Sequence, residues 1–275
     1  MSSEPEGRFH TVDVSSITRG PRRATLRTSD GVPIEAVHDP CAAGATDTVI
    51  VVAHGFTGSA DRPAVRRAAG VFAQYTGVVS FSFRGHGRSG GRSTVGDREV
   101  LDLAAAVEWA RSLGYARVAT VGFSMGGSVV LRHAATHKGS TEACPAHTDA
   151  AVSVSAPARW YYRGTAPMRR LHWLVTRPAG RLVGRFGFAT RIDSEEWDPV
   201  PLSPVEAVPL IAPTPLLIVH GDRDPYFPLD HPRMLAAAGP ARLWLEPGMG
   251  HAENAAGEEL LRRIAQWVSQ WVSVA

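Results

Sequence analysis

The sequence predicts an α/β protein: a mostly parallel, doubly wound sheet with one helical cap inserted after the sixth strand. Three observations carry that expectation. Apolar runs of strand length, rich in Val and Ile, recur along the chain without alternating with polar residues; such runs mark strands buried on both faces of a parallel sheet. Helical stretches lie between them, so strand and helix alternate. Between residues 157 and 209 the alternation stops, and an arginine-rich stretch takes its place.

The strand runs fall at 48–53, 78–83, 117–122, 150–155 and 215–220, each ending close to Gly, His or Pro, and 242–245 supplies the last. The clearest helix is expected over 94–113, where Val100, Leu103, Ala104, Val107 and Ala110 form one stripe and Gly114 is a stop. Further helices are expected over 125–137, about 229–238, and 253–272. This divides the chain into a core, residues 1–156 and 210–275, and a cap, residues 157–209, too short to fold separately.

Composition removes several classes of function. A chain of 275 residues that is 44% hydrophobic can bury a core and is not disordered. It has no apolar run long enough to span a membrane, and residues 1–6 are acidic and polar, so a cytoplasmic location is expected. Cys41 and Cys144 belong to no CxxC pair, which leaves zinc and dithiol chemistry without support. Lys138 is the one lysine among 29 basic residues. Arg159, Arg163, Arg169, Arg170, Arg177, Arg181, Arg185 and Arg191 sit in a stretch without Asp or Glu, and the rest of the chain is net acidic. Basicity confined to one segment speaks against general nucleic-acid binding.

Gly122-Phe123-Ser124-Met125-Gly126 follows a strand and opens a helix, the context that G-x-S-x-G requires to act as a nucleophile elbow. The sharp turn lifts the Ser124 hydroxyl out of the sheet, and the helix N-terminus favours developing negative charge. A serine hydroxyl is a poor nucleophile at neutral pH, so a base must take its proton and an acid must orient that base. Asp222 and Asp224 after the penultimate strand offer the acid, and His251 after the last strand offers the base. The order Ser, Asp, His matches that of α/β-hydrolases and neither protease order.

The chain resembles the α/β-hydrolase superfamily, in particular its serine esterases and acylglycerol-lipase-like members, over about residues 24–274. Four signatures carry the resemblance: His54-Gly55-Phe56-Thr57-Gly58, Phe83-Arg84-Gly85-His86-Gly87-Arg88-Ser89, the Ser124 elbow, and Gly221-Asp222-Arg223-Asp224 with Gly250-His251. The resemblance implies that Asp224 is the triad acid, with Asp222 forming the turn, and that the Phe56 and Met125 amides make an oxyanion hole. It implies no cofactor and no metal. Ser82 departs from the pattern, since many relatives carry Asp there. His86 is expected to shape its loop, and Glu99 with Asp102 to form a solvated or loop-anchoring helix face.

In the cap, residues 169–177 read as a short helix with apolar and cationic faces, and Trp160, Tyr161, Tyr162, Phe186 and Phe188 add aromatic surface. Roofing the pocket above Ser124, such a segment suits a hydrophobic or an anionic small-molecule ester or thioester, or faces an anionic lipid surface. The expected activity is serine hydrolysis through an acyl-enzyme. The same residues serve an amidase or peptidase, an acyltransferase or a cofactor-free perhydrolase, and a non-catalytic receptor or scaffold is the reading from another class. Epoxide hydrolases and haloalkane dehalogenases place Asp where this chain has Ser124. Oligomeric state is not legible.

Overall fold

The structure, a computed structural model, describes residues 20–139 and 144–272. The polar stretch 1–6 and the outer ends of the two expected core segments lie outside the described residues. In chain order the elements are β1 (Arg22–Arg27), β2 (Pro33–Asp39), β3 (Thr48–Ala53), α1 (Pro63–Phe72), β4 (Gly77–Phe81), α2 (Glu99–Ser112), β5 (Arg117–Phe123), α3 (Met125–Thr136) and β6 (Ala150–Val154). Then follow α4 (Ala166–Thr176), α5 (Pro178–Gly187), α6 (Pro204–Ala207), a 3-10 turn at Val208–Leu210, β7 (Leu216–Gly221), α7 (Asp230–Ala237), β8 (Arg242–Glu246), α8 (Ala252–Ala255) and α9 (Glu258–Val272).

The strands form one eight-stranded sheet in the order β1-β2-β4-β3-β5-β6-β7-β8. From β4 to β8 all neighbours pair in parallel, and β1 and β2 add an antiparallel edge. Alternate side chains of each strand feed opposite faces. Val49, Val51 and Ala53 of β3 pack with α2 and α3, whereas Ile50 and Val52 pack with α1, α8 and α9. Both faces are thus covered, which is why the central strands read as unbroken apolar runs.

The edge strands β1 and β2 and the helices α1 and α5 escape that reading, and two helix limits move. β1 carries Arg22, Arg23 and Arg27 and is half-exposed at the sheet edge, where charge discourages further strand addition. α1 starts at Pro63 in place of a polar cap residue, and α5 carries large apolar residues that do not face the core. The helix expected from residue 94 begins at Glu99, because the Glu99 carboxylate accepts the Thr94 and Gly96 N–H groups and the Ser93 and Thr94 hydroxyls, holding that loop open. The helix expected over 253–272 breaks at Ala256, whose backbone is extended. Glu99 and Asp102 are fully buried rather than solvated. Asp102 accepts the Arg84 backbone N–H at 2.8 Å and two guanidinium N–H bonds, and the pair anchors the β4–α2 loop.

Candidate active site

β5 lies inside the sheet between β3 and β6, and its end delivers Ser124. The Ser124 N–H donates to Val154 O at 2.8 Å, and the residue holds φ 51° and ψ −114°, a conformation L-residues rarely adopt. Such strain costs about 1–3 kcal/mol and persists only where the surroundings enforce it. They do so through two glycines: a Cβ on Gly122 would lie 2.1 Å from Gly126 O, and one on Gly126 would lie 2.3 Å from Ala53 O.

The structure brings Ser124, His251 and Asp224 together from three separate loops. The Ser124 hydroxyl is 2.9 Å from His251 Nε2, and His251 Nδ1 is 2.7 Å from Asp224 Oδ2. A charged Asp224 accepts only, so Nδ1 carries the proton and Nε2 is left to accept from Ser124. Burial pushes the Asp224 carboxyl up, but the bond and charge of His251 and the Tyr226 and Phe227 amides outweigh it, and its pKa lies below the ordinary value. His220, beneath Asp224, is held neutral by burial and donates to Phe227 O at 2.9 Å. Asp222 takes a different place: its Oδ1 accepts the Gly248 N–H at 2.6 Å, tying the β7 turn to the loop that carries His251.

Phe56 and Met125 flank the serine, and neither backbone N–H has an acceptor among the described residues. Two buried histidines shape the Phe56 loop. His54 donates from Nδ1 to Gly55 O and accepts the Phe83 N–H, and burial lowers its pKa to about 3. His86 Nδ1 donates to Arg84 O while Nε2 accepts the Thr57 N–H at 3.2 Å. Its part is to hold the loop, as expected from the sequence. At the position where many relatives have Asp, Ser82 Oγ accepts the Ala60 N–H and donates to Glu35 Oε2, so the carboxylate arrives from β2 instead.

Sequence reasoning missed three contributors. Glu253 is buried and its carboxylate accepts the Gly55 N–H at 2.9 Å, across 198 positions of chain. Ser155 Oγ accepts the Ala252 N–H next to His251. The Tyr226 ring stacks on His251, centroids 4.2 Å apart and 29° between planes. Glu253 stands two residues after His251, the one signal that pointed to it.

Ser124 opens into a cavity of about 500 Å³ lined by Phe56, Met125, Trp160, Tyr161, Met168, Leu171, Val175, Trp197, Val200 and Phe227. Arg159, Arg163 and Arg181 line it too, but so do Asp193, Glu195 and Glu196, just past the acid-free stretch. Arg169 and Arg170 are not part of the wall. Arg169 caps the Arg163 and Gly164 carbonyls, and Arg181 caps Val175 and Thr176 at the end of α4. Among the described residues no group of three or more His, Cys, Asp or Glu is placed to hold a metal ion, and no helix is long and apolar enough to cross a membrane.

A family model described as the alpha/beta hydrolase family matches residues 18–263. No curated protein matches the chain. Among solved structures, an esterase from Pyrococcus furiosus is similar at 21% identity and a TM-score of 0.70, over 98% of this chain and 100% of that one. The alpha/beta hydrolase GrgF from Penicillium sp. is 18% identical with a TM-score of 0.70, over 93% of this chain and 100% of its own. A serine hydrolase from Xanthomonas campestris, described as lacking a lid, is 20% identical with a TM-score of 0.57, over 93% and 94%. At these identities the likeness is one of fold.

Proposed function

The chain belongs to the alpha/beta hydrolase family, and on that premise we propose that it is a serine hydrolase cleaving an uncharged carboxylic ester, or the equivalent thioester, through an acyl-enzyme. One observation supports this above the rest: an unbroken hydrogen-bonded line from Asp224 through His251 to Ser124, ending in an apolar cavity. Ser124 Oγ attacks the substrate carbonyl as His251 Nε2 takes its proton. The carbonyl oxygen becomes an oxyanion, received by the Phe56 and Met125 N–H groups; one such donor is worth about 10²–10³ in kcat. Imidazolium, steadied by Asp224, returns the proton to the leaving alcohol or thiol. Water then enters, gives a proton to His251 and its oxygen to the acyl carbon, and Ser124 leaves with that proton restored.

The aromatic and aliphatic wall supports an apolar acyl group. Three arginines matched by three acids support an uncharged substrate over an anionic one. The test is labelling by a fluorophosphonate, followed by p-nitrophenyl esters from acetyl to palmitoyl. Labelling and turnover that are both abolished in Ser124→Ala are expected. Labelling without turnover of any ester would overturn the reading in favour of a receptor.

A further inference from the structure

α5 is built inside out. Its small residues face the protein: Gly180 and Gly184 are buried, and a Cβ at those places would lie 2.4 Å from Trp173 O and 2.9 Å from Ile192 Cδ1. Its large residues face solvent. Phe186 is 78% exposed, Leu182 58% and Val183 45%. Helical spacing places Leu182 and Phe186 opposite the glycines, with Val183 at the border of that side. Ordinary surface helices do the reverse, burying their apolar stripe. The backbone of α4 at Trp173 and Leu174 lies against the glycine side of α5, which is what turns the large residues outward.

The charge around this face selects what covers it. Arg185 borders the apolar stripe, exposed Arg177 precedes the helix, and no Asp or Glu occurs from 157 to 192. The Arg185 guanidinium lies over the Phe186 ring, 5.4 Å from its centroid. A second copy of the chain docked face to face would set arginine against arginine, which is repulsive. A flat anionic surface instead takes the apolar side chains into its acyl region and the arginines at its headgroups. Phe186, the largest of the three side chains, is also the most exposed.

We propose that the outward Leu182–Val183–Phe186 face of α5, with Arg177 and Arg185, docks this protein on anionic phospholipid membranes. The segment also contributes Arg181 to the wall of the Ser124 cavity, so docking brings the cavity to the membrane and lipid-borne esters to it. Binding does not depend on the hydrolase reading and is measured without turnover.

The experiment is sedimentation of the full chain with vesicles of phosphatidylcholine alone and of phosphatidylcholine with phosphatidylglycerol, at low and high salt. Binding is expected to the anionic vesicles only, and weaker in high salt. Phe186→Ser and Leu182→Gln, both at exposed positions, should each lower it about tenfold or more. Arg177→Gln and Arg185→Gln should each lower it about fivefold, the equivalent of the roughly 1 kcal/mol that a basic residue contributes at such a surface. Sedimentation velocity on the same samples should find no dimer that Phe186→Ser dissolves. Absence of binding to the anionic vesicles, equal binding by the Phe186→Ser and Leu182→Gln variants, or such a dimer would overturn the proposal.

Discussion

The loops that follow β3, β4, β5, β7 and β8 and the helical pair α4–α5 meet around Ser124 and its cavity but are built on opposite plans. In the loops almost every polar group is spoken for. His54, His86 and Glu253 and the side chain of Asp224 are buried, and each bonds a named partner. In the helical pair Met168, Gly180 and Gly184 are the buried residues and the large apolar side chains point outward. Geometry enforced by burial resists change, so substitutions in the loops should act on chemistry and stability. A segment held by glycines and carbonyl caps should tolerate change and act on what reaches the cavity.

The largest expected effect is at Ser124. Ser124→Ala should lower kcat by about 10⁶-fold and leave the melting temperature unchanged, because both residues carry a Cβ in the same strained turn. Substantial turnover in a variant purified free of host esterases would remove Ser124 from the reaction.

The two aspartates of the β7 turn sharpen the contrast within the loops themselves. Asp224→Asn should cost about 10⁴ in kcat by presenting the wrong partner to His251 Nδ1. Asp222→Asn should cost about tenfold or less, since Asn Oδ1 still accepts the Gly248 N–H and only the charge assistance is lost. The reverse ranking in folded variants would transfer the acid's part to Asp222.

Glu253→Ala should act on the loop that carries Phe56. It leaves the buried Gly55 N–H without its acceptor, and should lower stability by about 1–3 kcal/mol. We also expect kcat to fall about tenfold with KM little changed, because an oxyanion donor acts in the transition state. A change in stability alone would confine Glu253 to structure.

A pH series tests the buried plan as a whole. Burial lowers the pKa of His54 to about 3, and lowers that of His133 as well. From about 6.5 downward the unfolded chain takes up protons that the folded chain refuses. The contribution of these residues is therefore complete above pH 6.5 and is lost as pH falls toward 3. Urea midpoints should drop steadily over that window. His133, stacked on His137 at 4.3 Å with no hydrogen-bond partner for either ring nitrogen among the described residues, offers the sharpest probe. His133→Leu should raise stability at pH 5 by about 1–2 kcal/mol relative to the parent chain. A flat pH profile in the parent would break the comparison.

The smallest effect belongs to the cavity wall. With Arg159, Arg163 and Arg181 balanced by Asp193, Glu195 and Glu196, kcat/KM for a neutral ester and for its carboxylate-bearing analogue should change less than about twofold between low and high salt. A steep fall for the anionic ester alone would restore the anionic preference that the arginine-rich sequence suggests.

What could be read in the chain and what could not divide along a physical line. Strands buried on both faces write themselves as unbroken Val and Ile runs, as in Thr48–Ala53. The turn at Ser124 needs Gly122 and Gly126 within a few positions of it. Asp224 and His251 sit beside short glycine turns at strand ends. These constraints are local, and local constraints leave local patterns. The sequence by itself therefore determined the parallel sheet and the elbow, and offered His251 as the base with Asp222 or Asp224 as the acid, between which the family resemblance chose Asp224. The edge hairpin β1–β2 left no such trace, because an edge strand half in water alternates weakly and carries charge. The bond from Glu253 to Gly55 spans 198 residues, and the Glu35 carboxylate reaches Ser82 from another strand. The direction in which α5 turns its apolar side was likewise settled by where Gly180 and Gly184 find a backbone to lie against. Amphipathic spacing says that a helix has an apolar side; only the packing of the chain on itself decides whether that side is covered.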